Sequence, residues 1–259
     1  FNATHEDGGT RPLITTATNS TPLFILAAIK HTFRNIHFSN TAGTRANGIE
    51  CGASFAGLMM FNCLFDGFTS CVTENGGGIA DASFSNCEFK NNAANNNTFV
   101  RTTYRLHFHG CYFHDLTGAG SSAIIQDGAA HFSIVNCIFA DIAAIAANPA
   151  SSASVINSSF YACGTPITTS NYAGQIINNI FYGTTAYSVN VGTLTGIMRN
   201  NAYNAVGSGL RTGTYYPGSD FSDILLTGDP FTNAASDDFT LNSTAGAGAA
   251  CKSAGIQWS

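Results

Sequence analysis

The side chains that can carry out acid–base chemistry are few in this sequence, and most of them lie in its first half. Between Gly128 and Ser219 the only acidic residue is Asp141. Before that stretch, a Lys, a His and several carboxylates fall close together in a recurring pattern, and such a group can transfer protons or bind a sugar. The candidate catalytic residues are Asp66, Glu88, Lys90, His114 and Asp115. The alternative is a solvated ladder of opposite charges, which contributes little stability.

A second set of polar residues could contact a ligand without catalysing a reaction. Glu50, Arg101 and Gln126 stand on strands near the beginning of successive repeats, where they are expected to line a groove. Tyr112 is expected to face outward beside the candidate catalytic residues. These four residues are the candidate ligand contacts, and a network of surface hydrogen bonds is the alternative.

One pair of histidines has the spacing of metal ligands on a strand. His107 and His109 are two residues apart, so both point to the same side of the strand and could bridge a metal ion. Two ligands without a third seldom form a metal site. We therefore expect no metal ion and no cofactor.

These candidates are positioned by a six-residue pattern that recurs along the chain. Its clearest copies read FRNIHF, MFNCLF, FSNCEF, FHGCYF and IVNCIF, and later copies read VINSSF, IINNIF and MRNNAY. The aromatic residues that close the copies, from Phe38 to Tyr203, are separated by 27, 24, 24, 26, 21, 21 and 22 residues. Such irregular spacing is typical of solenoid coils, which gain or lose loop residues without disturbing their neighbours.

Each copy of the pattern predicts a corner between two strands. The position three residues before the closing aromatic holds Asn in seven copies and Gly110 in one, and both residue types tolerate a left-handed backbone. Stacked Asn side chains can also hydrogen-bond from coil to coil. Alternation before the corner, as at Ala82 and Phe84, predicts a strand with one buried face. A further strand is expected about fourteen residues before each closing aromatic, and the aromatics should stack along the axis.

Four cysteines share one column of the pattern, two residues before the closing aromatic: Cys63, Cys87, Cys111 and Cys137. Neighbouring coils lie about 4.8 Å apart with parallel Cβ vectors, which does not suit a disulfide. We interpret these cysteines as buried free thiols that act as small apolar residues. The sequence does not decide whether a disulfide forms among the other four cysteines, which lie outside this column: Cys51, Cys71, Cys163 and Cys251.

With these features the sequence resembles the pectin-lyase-like superfamily of right-handed parallel β-helices, of the bacterial and phage type whose role is unassigned. The resemblance covers residues 10 to 206 and implies an all-β solenoid of about eight to nine coils, with three short strands per coil. We divide the chain into a lead-in or first partial coil (1–20), the β-helix (21–212) and a C-terminal cap (213–259) that would cover the last coil. The paired Asp residues and Gly-His-Gly of polygalacturonases do not occur, so the fold does not transfer their chemistry.

Several positions that should face outward are apolar, and an apolar outer stripe calls for a cover. The stripe comprises Phe61, Leu64, Val135, Ile138, Ile156, Ile177 and Ile180. The cover is either the chain from Tyr215 to Ser259 folding back, which we favour slightly, or a neighbouring subunit in a trimer or filament.

Composition narrows the partners that the chain can have. Only 10% of the residues are charged, the net charge is −5, and the ten Lys and Arg are scattered, so no basic stripe is available for a phosphate backbone. The longest apolar run, Leu23 to Ile29, is much shorter than the about 20 residues of a membrane helix. We expect neither a nucleic acid partner nor membrane insertion.

The small polar turns and the shortage of acids favour a non-enzymatic role. We predict an extracellular, cell-surface or virion β-helix that serves as an adhesin, spike or filament subunit and contacts a surface glycan or further copies of itself. The alternative is a polysaccharide lyase or glycoside hydrolase that acts on the flank of the β-helix.

Overall fold

Three parallel sheets wind around one axis and make the chain an all-β solenoid with almost no helix, which confirms the predicted fold class. The structure is a computed structural model, and it describes residues 11–16, 22–26, 29–41, 47–52, 56–74, 81–90, 97–103, 105–127, 131–148, 152–185, 188–204, 211–215 and 222–254. The expected number of coils is met only approximately, because the described parts of the three sheets hold ten, nine and eight strands.

The strands are numbered along the chain and assigned to sheets A, B and C. Sheet A contains β1 (Leu13–Thr16), β4 (His37–Asn40), β7 (Leu64–Asp66), β10 (Glu88–Lys90), β13 (Tyr112–Leu116), β16 (Ile138–Ile142), β19 (Ser159–Tyr161), β22 (Ile180–Tyr182), β25 (Ala202–Asn204) and β27 (Ile224–Leu226). Sheet B contains β2 (Phe24–Leu26), β5 (Asn47–Cys51), β8 (Ser70–Glu74), β11 (Thr98–Thr102), β14 (Ser122–Gln126), β17 (Ile145–Asn148), β20 (Thr165–Tyr172), β23 (Val189–Leu194) and β26 (Arg211–Tyr215). Sheet C contains β3 (Lys30–Arg34), β6 (Gly57–Phe61), β9 (Asp81–Ser85), β12 (Arg105–His109), β15 (His131–Val135), β18 (Ser152–Ile156), β21 (Gln175–Ile177) and β24 (Ile197–Arg199). β1 lies in the segment described above as the lead-in or first partial coil, and β27 lies in the segment described as the C-terminal cap.

The closing aromatics form a continuous stack inside sheet A. From Phe38 to Phe181, successive rings have centroids 4.7 to 5.3 Å apart and planes within 17° of parallel. All seven phenylalanines of the stack are fully buried. The strict pairing of each ring with the ring one coil away fixes the register of the whole solenoid, because a shift of one residue would turn the aromatic row outward.

The predicted corner separates sheet C from sheet A in each coil. Its seven asparagines have φ between 52° and 63°, and Gly110 has φ 63°, so the column is left-handed throughout. Amide ladders link neighbouring corners: the Nδ2 of Asn62 donates to Oδ1 of Asn35, and the Nδ2 of Asn178 donates to Oδ1 of Asn157, both at 2.9 Å. The Asn column is thus both a bend and a row of oriented amides.

A second left-handed corner, which the sequence did not predict, follows sheet A. It lies two residues after the closing aromatic and is occupied by Gly67, Asp115, Asp141, Ala162 and Gly183. The residue types vary from coil to coil, so no column stands out in the sequence. The carboxylates of Asp115 and Asp141, which are near the candidate site, are therefore held at a bend rather than on a flat strand.

The cysteine column is buried and merges into a column of polar residues. Cys63, Cys87, Cys111 and Cys137 are at most 1% exposed, and all eight cysteines of the chain are free thiols. Further along, the same column holds Ser158, Asn179 and Asn201. The Nδ2 of Asn179 donates to the carbonyl of Val155 at 2.8 Å, and the Nδ2 of Asn201 donates to the carbonyl of Ile176 at 3.0 Å. Buried amides are acceptable here because they bond to carbonyls of neighbouring coils.

The chain after β27 returns over the outward face of sheet A. This fold-back segment, residues 228–241, includes the antiparallel strands β28 (Phe231–Asn233) and β29 (Asp238–Leu241), joined by a 3-10 turn at Ala234–Ser236. Helix α1 (Gly248–Ala254) follows and contacts β27 and β29. Phe231, Ala234 and Phe239 pack with Ile138 and Ala140 in a hydrophobic cluster that is separate from the main core.

Candidate functional site

A cluster of charged residues lies on the outward face of sheet A, next to the fold-back segment. All five candidate catalytic residues fall on its strands β7, β10 and β13. The parallel register places Asp66 beside Lys90 and Glu88 beside Tyr112. Because i and i+2 residues share a face, Glu88 and Lys90 face outward together, as do Tyr112 and His114.

His114 is held between two carboxylates. Its Nδ1 is 2.9 Å from Oδ2 of Asp115, and its Nε2 is 3.1 Å from Oε1 of Glu88. His114 is only 7% exposed, and its ring stacks on Tyr112 with centroids 4.1 Å apart. The Nζ of Lys90 approaches the same Oε1 of Glu88 at 3.4 Å.

Tyr112 joins this cluster to the fold-back segment. Its hydroxyl donates to Oδ1 of Asp237 at 2.5 Å, and its ring meets the ring of Phe239 edge to face. Burial raises the pKa of the Tyr112 phenol, and the hydrogen bond to Asp237 raises it further. The phenol therefore stays protonated at neutral pH and acts as a fixed donor.

Asp237 and Asp141 complete the cluster. Burial raises the pKa of Asp141, and the negative charges of Asp115 and Asp237 raise it further. Asp237 was not predicted, since it lies 125 residues from Tyr112 in sequence and belongs to no repeat. In the structure, Asp237 occupies a left-handed turn with φ 61°.

Asp66 lies one coil away from the main contacts. Its Oδ2 is 3.9 Å from Nε2 of His37, and its register neighbour is Lys90. Burial lowers the pKa of His37, although the charge of Asp66 acts in the opposite direction. The structure therefore brings Glu88, Lys90, His114 and Asp115 into direct contact and places Asp66 at their edge.

A polar groove of about 640 Å³ lies on sheet B. The Nε of Arg101 is 2.7 Å from Oδ2 of Asp127, and both carboxylate oxygens of Glu74 accept hydrogen bonds from Thr103. The remaining lining residues are Asn47, Ser70, Thr73 and Thr102. These bonds connect successive coils, so the side chains are oriented before any ligand arrives.

Of the predicted groove residues, Arg101 lines the groove and the other two have different positions. Glu50 is the register neighbour of Thr73 and lies beside the groove. Gln126 is 2% exposed, and its Nε2 donates to the carbonyl of His131 at 3.4 Å. Gln126 belongs to the interior because it ends a strand at an inward position that the sequence did not reveal.

The two histidines that were considered for metal binding lie on the outward face of sheet C. His109 is exposed, while His107 is half-buried with its ring 6.0 Å from that of His131. Burial lowers the pKa of His107. Within the described ranges, no three His, Cys, Asp or Glu side chains converge on a point that could hold a metal ion. The described part of the chain also contains no helix with the length and apolarity to cross a membrane.

The apolar stripe is divided between two flanks. On sheet A, Ile138 and Ile180 pack in the cluster formed by the fold-back segment, so residues of the same chain cover them. Leu64 and Ile177 are also buried. On sheet C, Val135 and Ile156 are half-buried, and the guanidinium of Arg34 lies 4.2 Å from the ring centroid of Phe61.

No family model matches this chain, and neither the curated proteins nor the solved structures contain a match to it.

Proposed function

We propose that the protein is a non-enzymatic β-helix of a cell or virion surface, an adhesin, spike or filament subunit, which binds a glycan along its flank. The polar groove on sheet B is the proposed contact. The observation that supports it is the row of hydrogen-bonding side chains fixed by cross-coil bonds, above all Arg101 with Asp127 and Glu74 with Thr103. Side chains that are already oriented lose little entropy on binding, which favours recognition of a hydroxyl-rich ligand.

The charged cluster on sheet A supports a non-catalytic role by its internal pairing. Both ring nitrogens of His114 contact carboxylates, Lys90 contacts Glu88, and Tyr112 donates to Asp237. A general base needs an accessible lone pair within reach of the substrate proton. The groups of this cluster are instead directed at one another, as in a structural network.

The test is to measure binding to a panel of neutral and uronic-acid polysaccharides. Arg101→Ala removes the charged donor of the groove, and we expect at least about tenfold weaker binding to the preferred glycan. Arg105→Ala is the matched control, because Arg105 is an exposed arginine on sheet C, outside the groove. Absence of binding to every glycan, or equal losses in the two variants, would contradict the proposal.

The second candidate function is a polysaccharide lyase or glycoside hydrolase. The observation that favours it is the convergence of Lys90, His114, Glu88 and Tyr112 within one patch, since these residue types act as acids and bases. Incubation with the same panel discriminates the two functions. Chain cleavage that His114→Ala or Lys90→Ala abolishes would establish the enzyme and overturn the first proposal.

Self-association is the other part of the proposed surface role. A trimer or a filament requires particles larger than one chain in solution, and light scattering measures their mass directly. A strict monomer at all accessible concentrations would remove both assemblies and leave glycan binding as the remaining surface function.

A further inference from the structure

A second cleft, of about 320 Å³, lies between the Asn column and the C-terminal part of the chain. One wall consists of four corner asparagines, and the other contains Phe239 and Leu241 of the fold-back segment. The four asparagines are Asn136, Asn157, Asn178 and Asn200. The volume is at the lower end of the range of small-molecule sites. The fold-back segment contributes Phe239 and Leu241 to the lining, so the cleft is formed by the repeats and this segment together.

The described residues that line this cleft carry no charge. Besides the corner asparagines, the lining includes Ser158, Ser159 and Asn179, together with Ile180 and Ala202. A charged ligand placed here would lose water without gaining an opposite charge, which is costly. The lining therefore selects a neutral ligand, in contrast to the groove on sheet B, which contains Arg101, Glu74 and Asp127.

The amide wall has the chemistry to bind hydroxyl groups. Each Asn amide has two N–H donors and a carbonyl oxygen with two lone pairs, and adjacent coils repeat this set at intervals of about 4.8 Å. The bond from Asn178 to Asn157 and the bond from Ser222 to Asn200 each use one donor and one lone pair. The left-handed corner and the Asn178 to Asn157 hydrogen bond fix the direction of these amides. Phe239 and Leu241 give the cleft an apolar surface that includes an aromatic ring. A pyranose ring matches these two kinds of surface, since its edge carries hydroxyls that can bond to amides and its faces carry C–H groups that can pack on apolar side chains.

We propose that this cleft is a binding site for a neutral saccharide of one or two units. The corner amides bind the hydroxyls, and Phe239 and Leu241 contact the C–H face. The site is distinct from the groove on sheet B in position and in charge. Its existence does not depend on glycan binding at that groove.

The test compares two asparagines of the same column. Asn178→Gly removes an amide from the cleft, while Asn62→Gly removes one that makes the same 2.9 Å ladder bond outside it. Glycine already occupies this column at Gly110, so the left-handed corner is retained. Binding of glucose, galactose, mannose and their disaccharides is measured by saturation-transfer NMR and calorimetry, with galacturonic acid as the charged comparator. We expect about tenfold weaker binding for Asn178→Gly and no change for Asn62→Gly.

A second variant fills the cleft without removing a polar group. Ala202 lies between Ile180 and Ile224 in its register column, so Ala202→Leu suits the strand and occupies the cleft. We expect this variant to fold and to lose saccharide binding there, while Arg101→Ala leaves that binding unchanged. The proposal is overturned if no neutral sugar binds, if galacturonic acid binds equally well, if Asn62→Gly weakens binding as much as Asn178→Gly, or if Ala202→Leu still binds.

Discussion

Phe239 is expected to hold the fold-back segment on sheet A without stabilising the solenoid itself. The ring is 6% exposed and meets three other aromatic rings edge to face, those of Tyr112, Tyr161 and Phe231, at 5.3 to 5.9 Å. These contacts belong to the hydrophobic cluster that is separate from the main core. The perturbation is Phe239→Ala, and the question is which part of the molecule loses stability.

The size of the effect follows from the burial of this side chain. Replacing a buried Phe by Ala costs about 3–5 kcal/mol. Because the contacts of Phe239 join one segment to one sheet, this cost should lower the free energy of local opening rather than that of global unfolding. Amide exchange in the segment should then be faster by about two to four orders of magnitude, at a tenfold change per about 1.4 kcal/mol.

The assay is native-state hydrogen exchange, with Phe113→Ala as the comparison. Phe113 is fully buried in the stack, with the rings of Phe89 and Phe139 at 4.7 Å on either side. The same substitution there should lower the midpoint of global unfolding. In Phe239→Ala, a sensitive reporter is the amide of Asn242, directly after the segment, which donates to the carbonyl of Pro230 within it.

Two results would refute this reasoning. If Phe239→Ala lowers the global unfolding midpoint as much as Phe113→Ala, the segment is an integral part of the cooperative core. If amide exchange in the segment is unchanged, the aromatic cluster does not hold the segment in place.

Three further predictions concern the carboxylates, the thiols and the inner column. Asp141→Asn should raise the thermal midpoint at pH 7, because the raised pKa of Asp141 shows that its charge is disfavoured in the folded state. The gain should vanish near pH 3, where the wild-type carboxyl is protonated in both states; a gain independent of pH would contradict the electrostatic cause. In the native protein, Ellman's reagent should react only with Cys251, and slowly because burial raises the pKa of that thiol to about 11. After denaturation it should react with all eight thiols. Reaction of a second thiol in the native protein would be inconsistent with the buried column. Asn201→Ala should lower the free energy of unfolding in urea by about 3 kcal/mol, because it leaves buried carbonyls without donors. Cys111→Ala in the same column should lower it by about 1 kcal/mol. Equal losses would show that the buried amides contribute no more to stability than the volume that they fill.

The fold could be predicted from the sequence because its determinants repeat. One row of closing aromatics and one row of corner asparagines recur with compatible spacing, and each constrains the backbone in a different way. The aromatic row specifies which face is inside, and the Asn row specifies where the chain bends. The structure confirms both rows, from the ring stack at Phe38 to Phe181 to the left-handed φ values of the asparagines.

The site could be predicted only in part, because its determinants do not repeat. The alternation of strand residues is visible in the sequence, and it predicted that Glu88, Lys90 and His114 lie on one outward face. Asp237 could not be found in this way, because it reaches Tyr112 through a single long-range contact of the fold-back segment. The position of Gln126 was equally inaccessible, since nothing in the sequence marks whether the last residue of β14 points inward or outward.

Tyr112 is the residue through which the charged cluster and the fold-back segment affect each other. Its ring stacks on His114 on one side, while its hydroxyl and ring edge contact Asp237 and Phe239 on the other. Before Tyr112, sheet A carries the charges of Glu88 and Lys90, and beneath the segment it carries the apolar residues Ile138 and Ile180. A ligand that displaced the segment would therefore also release a hydrogen bond and a ring contact at the charged cluster. The two halves of this flank are accordingly expected to respond together, although the solenoid beneath them is formed by equivalent coils.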